Sequence, residues 1–244
     1  MTQGIATEHR PNLKRLELHI TYRCNLRCTH CSNLITVAPS NECMSLAAIQ
    51  RVLDDSVRLQ WFWEWLVLHG GEPTLHPRFA EICALLGAFK RERSRYTEIV
   101  LCTNGCGDKV AAGIAVAESH GFKIENSKKT GTREVWYHIP LYSSAQDRGE
   151  DYRLGCFQTS RCGIALTERG FYECSPAASM YRVFGYEPLA RTLDELTEER
   201  LAAGFALHCR HCGYAALAQR QQPGAPLSPV WEQAAQAYAQ YSHD

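Results

Sequence analysis

The sequence predicts an α/β protein in which parallel strands form an open sheet or a truncated (β/α) barrel. Between residues 13 and 126, short β-rich runs alternate with helical stretches, and this rhythm stops after residue 126. Beyond residue 142 the chain is rich in loops and cysteines. Strands joined by helices pair in parallel, and their carboxyl ends carry functional residues. We therefore expect a truncated barrel followed by a small C-terminal extension that is organised by a metal centre.

The spacing of apolar residues predicts the individual elements. Two-residue alternation or a short apolar run indicates strands at 16–20, 65–68, 99–101 and 122–124, and an irregular last strand at 135–141. Helical spacing indicates helices near 46–57, 77–89, 108–117 and 191–206, and a terminal helix that starts at Ser228 and Pro229. The predicted regions are a core at 1–142, a metal-binding region at 143–220, and a linker with a C-terminal helix at 221–244.

The charge balance argues against a polyanionic partner. The 26 Lys and Arg residues equal the 26 Asp and Glu residues, so the formal net charge is zero. Because no long-range field attracts nucleic acid or an anionic membrane, we expect neither as a partner. The sequence has no apolar run of transmembrane length, and its first ten residues do not resemble a signal peptide. We therefore expect a cytoplasmic protein.

The 12 cysteines of this 244-residue chain are the most informative residue type. Secreted disulfide scaffolds are usually much shorter, and a reducing cytosol keeps thiols unpaired. Ligation of a metal or a cluster is therefore the leading interpretation, and the grouping of the cysteines supports it. The groups are Cys24, Cys28 and Cys31, then Cys156, Cys162 and Cys174, and finally Cys209 and Cys212.

The first group follows the first predicted strand with C-x3-C-x2-C spacing. Thiolates select zinc or iron–sulfur centres, and three thiolates leave one metal position open. A structural zinc ion would need a fourth ligand. His30 is the nearest candidate, but its adjacency to Cys31 makes joint ligation awkward. Buried or zinc-bound thiols without a catalytic role are the alternative interpretation.

This cysteine spacing is similar to the signature of the radical S-adenosylmethionine superfamily. Two further segments agree with it: His69-Gly70-Gly71-Glu72-Pro73 resembles the GGEP element, and Cys102-Thr103-Asn104-Gly105 resembles the TNG element. Each follows a predicted strand, and together the resemblance covers about residues 13–141. It implies a partial barrel with a [4Fe–4S] cluster on Cys24, Cys28 and Cys31, whose open iron binds S-adenosylmethionine and whose reduction yields a 5′-deoxyadenosyl radical.

The resemblance also implies which residues surround S-adenosylmethionine. Gly70 and Gly71 would let the backbone approach its amino group, while Glu72 shapes the turn. His30 would lie near the adenine, and Thr103 and Asn104 near the ribose. Ser127 follows the fourth strand, where this family often binds the carboxylate or ribose of the cofactor.

The second and third cysteine groups resemble the SPASM and twitch extensions of radical enzymes. In those, a cysteine, a β-turn and a second cysteine begin an auxiliary cluster site, which here implies a second [4Fe–4S] cluster on Cys162, Cys174, Cys209 and Cys212. Five cysteines after the core suit the shorter twitch type. A zinc ribbon is the alternative for the C-x2-C pair. Cys156 is left over, and it could replace a ligand, donate a hydrogen atom or pack in the core.

These resemblances imply a radical S-adenosylmethionine oxidoreductase. It would abstract a hydrogen atom from a small or medium substrate and pass the remaining electron to the auxiliary cluster. An electron donor such as flavodoxin or ferredoxin is expected as a partner. A second hypothesis is crosslinking or epimerisation of a ribosomally made peptide, and a third is a zinc-stabilised binding protein without catalysis.

Overall fold

The computed structural model describes residues 9–28, 31–130, 144–214 and 227–241 of the chain. A six-stranded sheet lies at its centre, in the order β4-β3-β2-β1-β5-β6. All neighbouring strands are parallel except β5 and β6, which form an antiparallel hairpin. The strands are β1 (Arg15–Thr21), β2 (Trp65–Gly70), β3 (Glu98–Thr103), β4 (Lys123–Asn126), β5 (Ile164–Thr167) and β6 (Gly170–Tyr172).

The helices of the described residues fall between and after these strands. They are α1 (Leu46–Arg58), α2 (Phe79–Glu92), α3 (Asp108–Ser119), α4 (Phe157–Cys162), α5 (Ser175–Phe184), α6 (Glu198–His208) and α7 (Pro229–Tyr241). Short 3₁₀ turns occupy Pro73–Leu75, Tyr152–Leu154, Leu193–Glu195 and Cys209–His211. None of the helices described is both long and apolar enough to cross a membrane. The prediction of an α/β fold with a mostly parallel sheet is confirmed.

Residues of β1 alternate between the core and the opposite face of the sheet. Leu16, Leu18 and Ile20 are fully buried in the hydrophobic core. Arg15 and Glu17 point to the other face and line a cavity. Side chains along a strand alternate in this way with a period of two, so the apolar residues hold the sheet while the polar ones remain available to a ligand.

The β5–β6 hairpin extends the same sheet on the other side of β1. Leu16 lies opposite Ile164 in parallel register, so the first strand of the chain is an interior strand. The sheet and its core thus cross the predicted boundary at residue 142, and the division into regions stays a prediction. The predicted strand at 135–141 and most of the predicted linker lie outside the described residues.

The single helix predicted at 191–206 is wrong at its start. The chain first makes a 3₁₀ turn at Leu193–Glu195, and α6 begins only at Glu198. Thr197 defines this start because its side-chain oxygen accepts the N–H of Arg200 at 3.3 Å. The terminal helix begins at Pro229 as predicted, and the fully buried Trp231 anchors it.

Candidate active site

A cavity of about 490 Å³ runs across the polar face of the sheet to the carboxyl ends of β1 to β4. Its wall contains most of the residues that the sequence singled out. Those residues are Cys24, Cys28, Cys31, Gly70, Gly71, Thr103, Asn104, Ser127 and Cys162. Cys174, Cys209 and Cys212 are buried, as is Glu72. His30 lies outside the described residues.

The first cysteine group forms a loop directly after β1. The Sγ of Cys24 accepts the backbone N–H of Leu26 at 3.4 Å. The Sγ of Cys28 accepts a hydrogen bond from Nζ of Lys129 at 3.2 Å. Burial raises the pKa of the Cys24 thiol to about 11 and also raises the pKa of Cys31. Because only thiolates are good metal ligands, this loop needs a positive centre to deprotonate it, and iron or zinc provides one.

Glu72 joins the loops that follow β2 and β3. Its carboxylate is fully buried, and Oε1 accepts the hydroxyl protons of Thr74 at 2.7 Å and Thr103 at 2.9 Å. Its Oε2 accepts the backbone N–H of Asn104 at 2.8 Å. This geometry supports the predicted role of Glu72 in shaping the turn. Glu72 therefore acts by fixing the positions of these loops, because both of its carboxylate oxygens already accept hydrogen bonds from the protein.

Gly70 and Gly71 lie so close to the loop after β1 that neither could carry a side chain. A Cβ on Gly70 would lie 2.2 Å from the carbonyl oxygen of Thr21, and one on Gly71 would lie 2.3 Å from that of Arg23. The N–H of Gly71 donates to the Thr21 carbonyl at 2.8 Å. The contact between these two loops is thus sufficient to require both glycines.

An asparagine pair connects the cysteine loop to the loop after β3. Nδ2 of Asn104 donates to Oδ1 of Asn25 at 2.9 Å and lies 3.9 Å from the Cys24 sulfur. Asn25 in turn donates to the Cys106 carbonyl at 2.7 Å. Sequence reasoning missed Asn25, because nothing in the cysteine spacing distinguishes it from the other intervening residues.

The chain after β4 supplies a hydroxyl and a cation to the cavity wall. Oγ of Ser127 donates to the Thr103 carbonyl at 3.0 Å. Lys129 is the more informative residue, since its ammonium group lies against the Cys28 thiol. Sequence reasoning missed it because the distance between residues 28 and 129 along the chain gives no local signal.

The second set of thiols is buried in the hydrophobic core. Cys156, Cys174, Cys209 and Cys212 are all between 6% and 8% exposed. Burial raises the pKa of Cys174 well above its usual range, and the nearby thiols of Cys209 and Cys212 add to this. The Cys209 pKa is raised in the same way, with contributions from Cys212 and Cys156. The neighbouring Glu173 is fully buried and bonds to Nδ1 of His208 at 2.7 Å.

Cys162 and Cys156 have different environments. The Sγ of Cys156 accepts the backbone N–H of Gln158 at 3.3 Å, as the sulfur of Cys24 does with Leu26 and that of Cys212 with Tyr214. Cys162 instead donates its S–H to Oε1 of Gln158 at 3.0 Å and lines the first cavity. The structure therefore groups Cys156 with the buried thiols, and the predicted role of Cys162 as a ligand stays a prediction.

Fold and site together define an α/β protein with a three-thiol centre at the carboxyl edge of a parallel sheet. Residues 18–121 match the Radical SAM superfamily domain, so this part of the chain is similar to domains of that superfamily. Such a domain implies a [4Fe–4S] cluster and S-adenosylmethionine as cofactors, and the donor set of Cys24, Cys28 and Cys31 beside an open cavity fits them.

Two curated relatives match part of the chain. GTP 3′,8-cyclase of Corynebacterium glutamicum (strain R) is 32% identical over 105 residues, which are 42% of this chain and 28% of that protein. PqqA peptide cyclase of Methylobacterium sp. (strain 4-46) is 34% identical over 143 residues, which are 56% of this chain and 30% of that protein. The chain thus matches less than a third of the length of either relative.

A solved structure resembles the fold over most of the chain. It is BtrN in complex with AdoMet and 2-DOIA, with a TM-score of 0.54 and 14% sequence identity. The alignment covers 86% of this chain and 96% of that chain. At 14% sequence identity, this similarity concerns the fold alone.

Proposed function

We propose that this chain is a radical S-adenosylmethionine oxidoreductase that abstracts a hydrogen atom from a small or medium substrate. The observation that carries this proposal is the placement of three cysteine thiols on the wall of one polar cavity, at the carboxyl edge of the sheet. A [4Fe–4S] cluster held by these thiols would, once reduced, supply the chemistry that converts bound S-adenosylmethionine to a 5′-deoxyadenosyl radical.

The residues of the first site have separate tasks in this proposal. Cys24, Cys28 and Cys31 hold the cluster, and the Lys129 ammonium group offsets negative charge at the Cys28 sulfur. The Glu72 carboxylate fixes the loops that form the cavity wall. Gly70, Gly71, Thr103, Asn104, Ser127 and His30 remain the proposed surroundings of S-adenosylmethionine.

We further propose that the second thiol set holds an auxiliary [4Fe–4S] cluster that accepts the electron left on the substrate. Cys174, Cys209 and Cys212 keep the role predicted for them, and Cys156 replaces Cys162 as the fourth ligand. Shared burial and the backbone N–H bond to the Cys156 sulfur support this replacement. The twitch-type extension is proposed on the same grounds.

Two substrate classes follow from the relatives. The BtrN structure is a complex with AdoMet and 2-DOIA, and its fold resembles this one over 86% of the chain, which favours a small-molecule substrate. The match to PqqA peptide cyclase over 143 residues supports a peptide as the second candidate. The charged cavity residues Arg15, Glu17 and Glu125 suit polar groups in either class.

The cellular setting is part of the proposal. All 12 cysteines are free thiols in the structure, which suits the reducing cytoplasm. The proposed partner is an electron donor such as flavodoxin or ferredoxin. The balanced charge of the sequence supports a role without nucleic acid or membrane partners.

Anaerobic reconstitution tests this function. The protein should bind about eight irons in two cubane clusters and release 5′-deoxyadenosine once reduced with S-adenosylmethionine present. Product from the true substrate should form in proportion to deoxyadenosine. A protein that binds zinc and no iron, or a reduced iron-loaded protein that makes no deoxyadenosine, would overturn the proposal.

A further inference from the structure

Three potential metal ligands meet on the cavity face of the two central strands. Glu17 and His19 are two residues apart on β1 and therefore point to the same face. His69 on β2 lies directly opposite His19 in the parallel register, with ring centroids 5.3 Å apart. One ligand atom from each of the three residues lies within 4.8 Å of the other two.

We propose that Glu17, His19 and His69 bind a divalent transition-metal ion, separate from the cysteine-bound clusters. This ion would coordinate a hydroxyl, amine or carboxylate group of the substrate, a role that rests on the proposed function. Two imidazoles and one carboxylate form a facial ligand set that leaves positions open, and zinc and ferrous iron both accept it.

The hydrogen bonds around His19 leave Nε2 with its lone pair. The Tyr22 hydroxyl donates its proton to the Ala178 carbonyl at 2.5 Å. It must therefore accept the proton of His19 Nδ1, which lies 3.0 Å away. In this tautomer Nε2 is an acceptor, and it accepts a hydrogen bond from the Ser175 hydroxyl at 2.8 Å. A metal ion can take the place of that hydroxyl without disturbing the bond that orients the ring.

Of the other two residues, His69 lacks a hydrogen-bond partner at Nδ1 among the described residues, and Glu17 is paired with a cation. Nδ1 of His69 is buried and has no hydrogen-bond partner within the described part of the chain. Leaving such a group unpaired costs about 1–3 kcal/mol. The Glu17 side chain is buried beside Arg15, whose Nε lies 3.3 Å from its Oε1. A metal ion would give His69 a partner and bind the Glu17 carboxylate, with Arg15 orienting that carboxylate.

The separations of the three ligand atoms are close to those around a bound ion. Metal–ligand bonds of about 2.0–2.2 Å place two ligand atoms at most about 4.4 Å apart. The observed upper limit of 4.8 Å is close to this value. Because Glu17 and His69 line the cavity, an ion held there would be accessible to a substrate.

Zinc binding to the reconstituted holoprotein tests the site. After chelation and desalting, the holoprotein should bind one further Zn²⁺ per chain, and X-ray absorption at the zinc edge should show nitrogen and oxygen ligands without sulfur. Glu17→Gln and His69→Asn should each weaken this binding by more than about tenfold, since even the loss of a supporting residue costs that much. Glu125→Gln is the matched control, because it removes a carboxylate from the same cavity wall outside the triplet, and it should retain the binding.

Several results would overturn the site. They are a sulfur-containing zinc shell, no extra zinc in the wild-type holoprotein, or equal affinity in the wild type and both ligand variants. A parallel deoxyadenosine assay separates this inference from the proposed function. Radical formation without extra zinc contradicts the ion site alone, whereas zinc at the triplet without deoxyadenosine contradicts the proposed function alone.

Discussion

The two cysteine sites of this chain differ in their access to small molecules. Cys24, Cys28 and Cys31 border a cavity of about 490 Å³. The second set, Cys156, Cys174, Cys209 and Cys212, is packed into the hydrophobic core. A metal centre with three protein ligands and an open cavity can bind a reactant, whereas one with four buried ligands is suited to structure or electron transfer. The comparison therefore supports the proposal that the first site is catalytic and the second has an accessory role.

Replacing Cys28 should have the largest effect. Cys28→Ala should lose the first cluster and abolish 5′-deoxyadenosine formation, because three thiolates are the minimum that holds the cube with one iron free. Iron content should fall by about half, as the second site is unaffected. Cys83→Ala is a matched control, since Cys83 is a fully buried thiol on α2 outside both sites. If Cys28→Ala still yields deoxyadenosine at the wild-type rate, the assignment of the first site fails.

The second site should respond differently. Cys156→Ala should lose about four irons but still cleave S-adenosylmethionine, with product no longer formed in proportion to deoxyadenosine. Cys162→Ala should keep the full iron content, because its thiol faces the first cavity. Iron analysis of the two purified variants checks this pair. The reverse pattern, with iron lost only on replacing Cys162, would restore Cys162 as the fourth ligand.

The stability of the loops around the first site should depend on Glu72. Glu72→Gln presents an amide N–H to the backbone N–H of Asn104 or to the hydroxyl of Thr103, so a buried donor loses its acceptor. We expect a stability loss of about 1–3 kcal/mol and slower deoxyadenosine formation. Thermal unfolding compares it with Glu81→Gln, which changes an exposed carboxylate and should have little effect. If the two variants have equal Tm values and equal rates of deoxyadenosine formation, Glu72 does not stabilise these loops as described.

A smaller effect should appear on acidification. His76 donates from Nε2 to the Met44 carbonyl and accepts the Arg78 N–H at Nδ1, so the fold uses its neutral form. Burial lowers the pKa of His76 below 6.5 in the folded state. The unfolded chain then binds more protons below that pH, and stability falls as pH drops toward the folded-state pKa.

His76→Asn should reduce this pH dependence, since asparagine can accept the Arg78 N–H and does not titrate. When the pH is lowered from about 7.5 to about 5.5, the Tm of the variant should fall by less than the Tm of the wild type. Identical losses would show that His76 does not contribute to the acid sensitivity.

Local signals predicted the first site, while long-range packing decided the rest. The strands, the cysteine loop and the glycine turn are each continuous in sequence, so periodicity and spacing were sufficient to place Cys24 and Gly70 at strand ends, while their roles follow from the family resemblance. Lys129 reaches Cys28 across 101 positions, and the pairing of β5 with β1 joins segments that lie even farther apart along the chain. Spacing alone also could not separate Cys156 from Cys162, because the difference is three-dimensional: Cys162 lines the cavity, whereas Cys156 is buried in the hydrophobic core.

The response of the two clusters to S-adenosylmethionine tests the central comparison most directly. Electron paramagnetic resonance of the reduced, reconstituted protein should show two cluster signals, and adding S-adenosylmethionine should change only the one that disappears in Cys28→Ala. A change in the signal that remains in that variant would contradict the assignment of an open first site and a closed second one.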